Sequence, residues 1–285
     1  MLKKLAIYLP LTLFAVATLV PFAYLVCSAF KTQEVFFTGL FLPLEEIQGA
    51  NGVSYRIDWD GLTLANFERL FTETTIGRAI VNSAFLASVS SLLATLCAAM
   101  GGYALAKFDF PGRSFITNLV LVALVIPGAL LLAPTYQLLY WMGLLDSFTG
   151  LIIPAMAPAF GVYLFRQAIR SSVPDAMLEA GRIDGCGEIR LFFTMVLPMI
   201  RPMVGAFVMI TFLAMWNNFI GPQIVMQTPE KFPLAVAVAQ MRGLYSTDYG
   251  LIMASTLVSI IPVLGLFLLL QRDFIAGLTS GAVKG

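Results

Sequence analysis

The side chains able to engage a partner are gathered in one stretch. From Arg166 to Arg201 the chain reads RQAIRSSVPDAMLEAGRIDGCGEIRLFFTMVLPMIR, and nine of these 36 residues are acidic or basic. Long uncharged runs lie on either side. A charged amphipathic segment in an otherwise lipid-soluble chain must face water, and such segments commonly meet a partner. Pro174 can open a helix here, with Ser171 or Ser172 as a nearby cap. Asp175 and Glu179 then fall in its first turns, where the helix dipole favours negative charge. Gly181, Gly185 and Gly187 end or bend that helix and leave little bulk, so another protein can approach closely. A second helix over Glu188–Val196 should end at Leu197-Pro198. The expected result is a helix–glycine turn–helix knob, able to pass a rigid-body push into the spans beside it.

Catalytic chemistry has little to work with. The chain has no histidine, which removes histidine triads, histidine metal sites and histidine proton relays. Cys27, Cys97 and Cys186 have no zinc or disulfide spacing. No glycine-rich phosphate loop with Lys-Ser/Thr is present, so the chain cannot bind ATP in the usual way. We expect no catalytic residues, no metal and no cofactor on this chain. A net charge of +1 gives no reason to invoke nucleic acid.

The elements that position the charged stretch belong to a membrane. Hydrophobic residues make up 59% and charged residues 12% of the 285-residue chain, against about 25% charged in soluble domains. Uncharged runs cover Leu5–Phe30, Ala79–Ala106, Ser114–Leu145, Ser147–Phe165, Pro202–Pro229 and Tyr249–Gln271. Each approaches the roughly 20 residues that cross a bilayer as a helix. The third run should end near Trp141, at an interface anchor and turn. The first run exceeds a signal-peptide core, and Leu25-Val26 lacks the small residue a lipoprotein site needs before Cys27, so it reads as a retained span. The predicted fold is an all-α membrane protein with six transmembrane helices. Placing both termini in the cytoplasm puts 11 Lys and Arg residues inside and 6 outside, in accord with the positive-inside rule.

This divides the chain into an N-terminal segment and first span (1–30), an extracytoplasmic loop (31–77) and a core (78–285). The core carries the cytoplasmic loop 171–198 and a cytoplasmic tail 272–285. Gly221–Tyr249 contains Pro222, Pro229 and Pro233, so it cannot be a simple helix. It either abuts the solute path or packs as a lid on the bundle.

Polar groups within the spans are few: Asn82, Thr135, Tyr136, Gln137, Tyr163, Asn217 and Asn218. Of these, Tyr136, Gln137, Asn217 and Asn218 could line a path for hydroxyl-rich solutes. They could equally bridge helices within the bundle. No acidic or basic residue lies deep in a predicted span, although ion-coupled carriers and pumps normally need one. The driving energy must then come from outside the chain.

The spacing within the charged stretch resembles the Glu-Ala-Ala…Gly…Ile-x-Leu-Pro loop of ABC importer permeases, by which they dock on a cytoplasmic ATPase. Glu179, Ala180, Gly185, Leu197 and Pro198 fall on family positions, and Asp184 is a frequent choice there. Gly181 replaces an alanine and Met195 an isoleucine. The likeness extends to Asn66-Phe67, Val81-Asn82-Ser83, the Gly102–Arg113 turn ending in Phe-Pro-Gly-Arg, and Gly143–Ser147. It also covers Trp216-Asn217-Asn218-Phe219, with Asn218 replacing an acid, and the Gly277–Gly285 tail. The sequence is similar to carbohydrate uptake transporter-1 permeases of the maltose "G" type, in a type I importer bundle.

That resemblance implies docking through Glu179, Ala180, Gly181, Asp184, Gly185, Leu197 and Pro198. It implies a second permease subunit forming a heterodimer, two cytoplasmic ATPase subunits holding ATP and magnesium, and an extracytoplasmic sugar-binding protein. The implied setting is the inner membrane, with sugar moved by alternating access. A permease for a non-sugar solute is the alternative, followed by a secondary carrier, which would show two related halves.

Overall fold

The long apolar runs near the two ends fold as uninterrupted helices, whereas those in the middle break where proline or asparagine stands. The computed structural model describes residues 2–49, 52–242 and 247–282. Among these, α1 (Leu2–Ala29) runs helically through Pro10 and Pro21. Its apolar side chains from Ile7 to Phe22 are exposed, as suits a helix whose surroundings are lipid or another chain.

Two compact units follow from the packing. The first takes the residues through Arg78 together with Ala237–Ile261; the second takes Ala79–Val236 and the residues from Pro262 on. In the first unit, the expected extracytoplasmic loop contains an antiparallel hairpin, β1 (Leu44–Gly49) and β2 (Gly52–Ile57), in register Leu44↔Ile57 to Gly49↔Gly52. Lys31, fully buried, donates its ammonium hydrogens to the carbonyls of Gly39 and Leu40. Asn66 of α2 (Ala65–Thr72) donates to the carbonyls of Ala29, at 3.0 Å, and Lys31, at 2.8 Å. The Asn66-Phe67 pair therefore ties α2 to the exit of the first span.

The second unit holds most of α3 (Ile76–Lys107), then α4 (Arg113–Ala123), α5 (Leu132–Trp141), α6 (Phe148–Ala155) and α7 (Ala159–Ser172). Next come α8 (Asp175–Ile183), α9 (Glu188–Leu191) and α10 (Leu197–Met199), the last two joined by a π-helical turn, Phe192–Val196. After them lie α11 (Arg201–Trp216), α12 (Ile220–Val225) and α13 (Leu234–Gln240), the last divided between the units at Val236. The closing helix α14 (Tyr249–Ala282) carries Pro262 within it and is shared between the units. The tail 272–285 is thus helical to Ala282, and residues 283–285 lie outside the described residues.

Three helices, Ala6–Ala29, Ile76–Lys107 and Tyr249–Arg272, are long and apolar enough to cross a membrane. Three bent pairs bring the number to six when each is counted as one span. The third run is not one helix to Trp141: it bends by 102° between Arg113–Ala123 and Gly128–Trp141. Pro127 lacks an N–H and pushes Ile126 out of helical space. The fourth run bends by 40° between α6 and α7, where Pro154 and Pro158 fall. The fifth ends at Trp216 and resumes as α12 after Asn217, Asn218 and Phe219. Hydropathy records apolarity, neither the missing donor of a proline nor the turn at Asn217, so all three breaks are invisible to it. The turn expected after Trp141 is present, with Gly143 at φ 67°.

Small residues let the spans of the second unit approach closely. A Cβ on Gly102 would stand 2.7 Å from the backbone nitrogen of Arg166, and one on Gly161 would stand 2.8 Å from the Cβ of Ala98. The α3 and α7 backbones are therefore in near contact, the packing that stabilises helices in lipid.

Candidate docking and transport site

Pro174 starts α8 with extended backbone and no side-chain cap. The expected cap from Ser171 or Ser172 does not form; the Ser171 hydroxyl donates instead to Ala168 in α7. Asp175 lies in the first turn and Glu179 one turn later. The helix ends in a Schellman motif: Gly185 donates to Arg182 at 3.0 Å and Cys186 to Gly181 at 2.9 Å, with Gly185 at φ 80°. That left-handed conformation favours glycine, which has no Cβ to strain it.

The three glycines play different parts. A Cβ on Gly185 or Gly187 would meet nothing within 4 Å, so both present open backbone outward. Gly181 is buried, and a Cβ there would lie 2.5 Å from Leu191 Cδ2. Its missing side chain brings α8 onto α9 rather than admitting a partner, which corrects the reading of Gly181 as part of the contact surface. The second helix also differs from expectation. It does not stop at Leu197-Pro198 but continues to Met199 and breaks at Ile200. Pro198 cannot donate to a carbonyl four residues back. The π turn just before it widens the helix, and the Leu197 N–H bonds the Phe192 carbonyl, five residues back.

Glu179, Ala180, Asp184 and Pro198 are exposed, and Leu197 is half-buried. Glu179 has no ion-pair partner among the described residues. Beside the glycine turn, Ile183 is 86% and Ile189 72% exposed. Two bare isoleucines flanking a glycine turn and a free carboxylate form an apolar contact with a charged edge. The amphipathic pattern of the stretch does not single these isoleucines out.

The knob is fastened to the C-terminal end of α3. Glu188 accepts from the Tyr103 hydroxyl at 2.8 Å and from Arg182 Nε at 2.6 Å. The Arg182 guanidinium holds the Glu188 carboxyl below its ordinary range, against the opposing effect of burial and with a further contribution from the Tyr103 hydroxyl. Because both charged side chains are 39% exposed, solvent screening leaves the pair about 1 kcal/mol or less. Lys107 Nζ donates to the Val173 carbonyl at 2.6 Å and to Asp175 at 2.5 Å. Arg113, last residue of the Phe-Pro-Gly-Arg turn, folds back to donate to the Leu105 carbonyl at 3.1 Å and the Ala106 carbonyl at 3.2 Å. A cation on these terminal carbonyls satisfies the end of α3 and its dipole.

Below these polar ties lies one apolar core. Ala98 and Tyr103 of α3, Phe165 and Ile169 of α7, Leu178, Leu191 and Val196 of the knob, and Phe207 of α11 are buried together. The knob and three spanning segments thus share side-chain packing, and packed interiors transmit displacement instead of absorbing it.

Polar residues of the spans separate into two groups. Asn82 donates to the carbonyls of Glu230, at 2.9 Å, and Phe232, at 3.1 Å, while Ser83 accepts from Leu234 N–H at 2.7 Å. Asp146 accepts from the backbone of Gln227 and Thr228, from the Thr228 hydroxyl at 2.6 Å and from Lys231 at 2.7 Å. These bonds seat the segment 227–234 on α3 and on the turn before α6, while Gly221, Ile224 and Val225 of the same expected loop border the cavity of Tyr136 and Asn218. Tyr163 accepts from Gln167 on its own helix.

Of the four path candidates, Tyr136 and Asn218 line the same cavity of about 280 Å³, which Thr135 also borders. Gln137 opens with Tyr136 on a separate groove of about 650 Å³. Asn217 bonds the Leu213 carbonyl one turn back, is exposed and lines neither cavity. Among the described residues no cluster of side chains could hold a metal ion.

Comparison with known proteins agrees with this geometry. The chain is 38% identical over 250 residues to the arabinooligosaccharides transport system permease protein AraQ of Halalkalibacterium halodurans, covering 86% of this chain and 88% of that one. It is 31% identical over 279 residues to the diacetylchitobiose uptake system permease protein NgcG of Streptomyces coelicolor, covering 96% and 87%. Its fold matches a chain of the crystal structure of a bacterial ABC transporter that imports the acidic polysaccharide alginate, with a TM-score of 0.81, 96% of each chain covered and 18% identity. Residues 90–274 match the family described as binding-protein-dependent transport system inner membrane component. The chain belongs to that family, as a membrane permease subunit of an ABC importer and not as an ATP-hydrolysing enzyme.

Proposed function

We propose that this chain is the smaller permease of an ATP-driven sugar importer and that its α8–α10 knob is the ATPase-docking element. One observation carries the reading: an exposed glycine turn with a free carboxylate is rigidly continuous, through Leu178, Leu191 and Phe192, with three spanning segments. A partner pressing on Gly185 and Gly187 therefore moves α3, α7 and α11. The partners are two cytoplasmic ATPase subunits holding ATP and magnesium, a second permease subunit and an extracytoplasmic sugar-binding protein. Both termini lie in the cytoplasm.

Sugar as the solute rests on the names of the relatives and on the character of the cavities. Relatives carry arabinooligosaccharides, diacetylchitobiose and lactose in their names. No acidic or basic residue lines the three cavities that hold Tyr136, Gln137 and Asn218. The test is uptake by proteoliposomes of the complete transporter, offered arabinotriose, diacetylchitobiose, lactose or sn-glycerol 3-phosphate. ATP-dependent uptake of at least one sugar is expected. Uptake of glycerol phosphate alone, or uptake driven by an ion gradient without ATP, would overturn it.

A further inference from the structure

Ser90 of α3 is 2% exposed, and its hydroxyl has no hydrogen-bond partner among the described residues. It does not bond the backbone of its own helix, as Thr211 does with Phe207 at 2.8 Å. Ser90 lines a cavity of about 200 Å³ together with Thr211 and Asn218. Three alanines, Ala94, Ala155 and Ala214, leave it open. Asn218 uses its carbonyl oxygen on the Gly221 N–H, at 3.3 Å, but its amide nitrogen reaches only the Met215 sulfur, at 4.0 Å. Two polar groups thus face one cavity with hydrogen-bonding capacity to spare, and buried polar groups without partners are rare.

The backbone marks the same place. The helix break after Ala155 and the break after Trp216 both border this cavity. Within a membrane, irregular backbone is tolerated where it is buried in protein or lines a cavity. Ala155, Met215 and Asn218 also line the neighbouring cavity of about 280 Å³ that contains Tyr136. No acidic or basic side chain lines either one. The ligand they suit is neutral, about as small as one sugar ring, and able both to donate and to accept hydrogen bonds.

We propose that the Ser90–Thr211–Asn218 cavity is a carbohydrate site within this permease, holding one ring of the sugar by its hydroxyls during transfer. This rests on the sugar-import reading above. Ser90 offers a hydroxyl that donates and accepts, and Asn218 offers its amide hydrogens to a sugar oxygen. The three alanines set the size limit.

The test is equilibrium binding of radiolabelled arabinotriose, or whichever sugar the wild type transports, to the assembled transporter in nanodiscs without its binding protein. Ser90→Ala should weaken binding about fivefold, the loss of one neutral hydrogen bond. Ser90→Thr should restore most of it. Asn218→Leu and the cavity-filling Ala214→Phe should reduce binding further. Selectivity should also move, with larger rings excluded first by Ala214→Leu. A transporting wild-type assembly that binds no sugar overturns the site and leaves the import function standing. So does unchanged binding in all the variants, or Ser90→Thr no better than Ser90→Ala. A wild-type assembly that imports none of the sugars removes both together.

Discussion

Glu188 and Asp146 hold the two ends of the second unit in place. Each is a carboxylate surrounded by donors, and each belongs to a segment that apolar patterning leaves undefined. Asp146 adopts a positive φ of 52°, uncommon for a residue with a side chain. It is held there by its bonds to Gln227, Thr228 and Lys231. The Lys231 ammonium, then the Thr228 hydroxyl and the two backbone N–H groups, hold its carboxyl well below the ordinary range. A carboxyl depressed in the folded state contributes stability above its unfolded value, about 3.9, and loses it as pH falls through the lower folded value. Asp146→Asn keeps the size and tolerates the same backbone but removes the charge. We predict a lower melting temperature than wild type from pH 7 to 5, and a gap that narrows as pH falls below about 4. Thermal melts of the purified protein across pH 7 to 3 measure this, and a gap of constant size would contradict it.

At the scale of elements, the knob was readable because its charges and glycines interrupt a lipid-soluble chain. Its existence, Gly185 as its turn and the exposed Glu179 follow from spacing. The inward face of Gly181 does not, because burial of a glycine depends on what its own chain brings opposite, here Leu191. Nor do the breaks at Pro127, Pro158 and Asn217, since a hydropathy window averages across them. The hairpin Leu44–Ile57 does not stand out by apolarity, because Glu45, Glu46, Gln48, Ser54 and Arg56 are interspersed with the apolar residues of its strands. Tyr103 and Lys107 stand 85 and 68 residues before their partners Glu188 and Asp175, and only the fold shows that these pairs fasten the knob to α3.

The glycines of the knob give a contrast that separates packing from docking. Gly181→Val must displace Leu191, an overpacking cost of about 1–3 kcal/mol, and should lower the melting temperature and uptake together. Gly187 has φ −71° and open space around it. Gly187→Leu should cost the isolated permease less than about 1 kcal/mol, yet abolish uptake by holding the ATPase away. Melting and uptake measured on both variants decide the matter. Normal uptake by Gly187→Leu would show that nothing presses closely on this turn.

For the whole molecule, the account requires a sidedness. The proposed orientation, with both termini in the cytoplasm, predicts which positions a reagent outside the cell can reach. Single cysteines placed by Tyr55→Cys and Gln240→Cys should react with a membrane-impermeant maleimide added to intact cells. Those from Phe110→Cys and Ile183→Cys should react only after the cells are opened. Labelling of position 183 from outside would detach the knob from any cytoplasmic partner.

The central claim is that the exposed knob couples an ATPase to the spans, with Glu179 free to meet a basic residue on that partner. Its most direct test is Glu179→Lys in the complete transporter, with co-purification of the ATPase and sugar uptake measured on the same preparation. Reversing a charge at a partly buried intermolecular pair costs about 3–5 kcal/mol. The variant should therefore insert and melt as wild type does, lose the ATPase on purification and import no sugar. Wild-type ATPase recovery and wild-type uptake by Glu179→Lys would contradict the account.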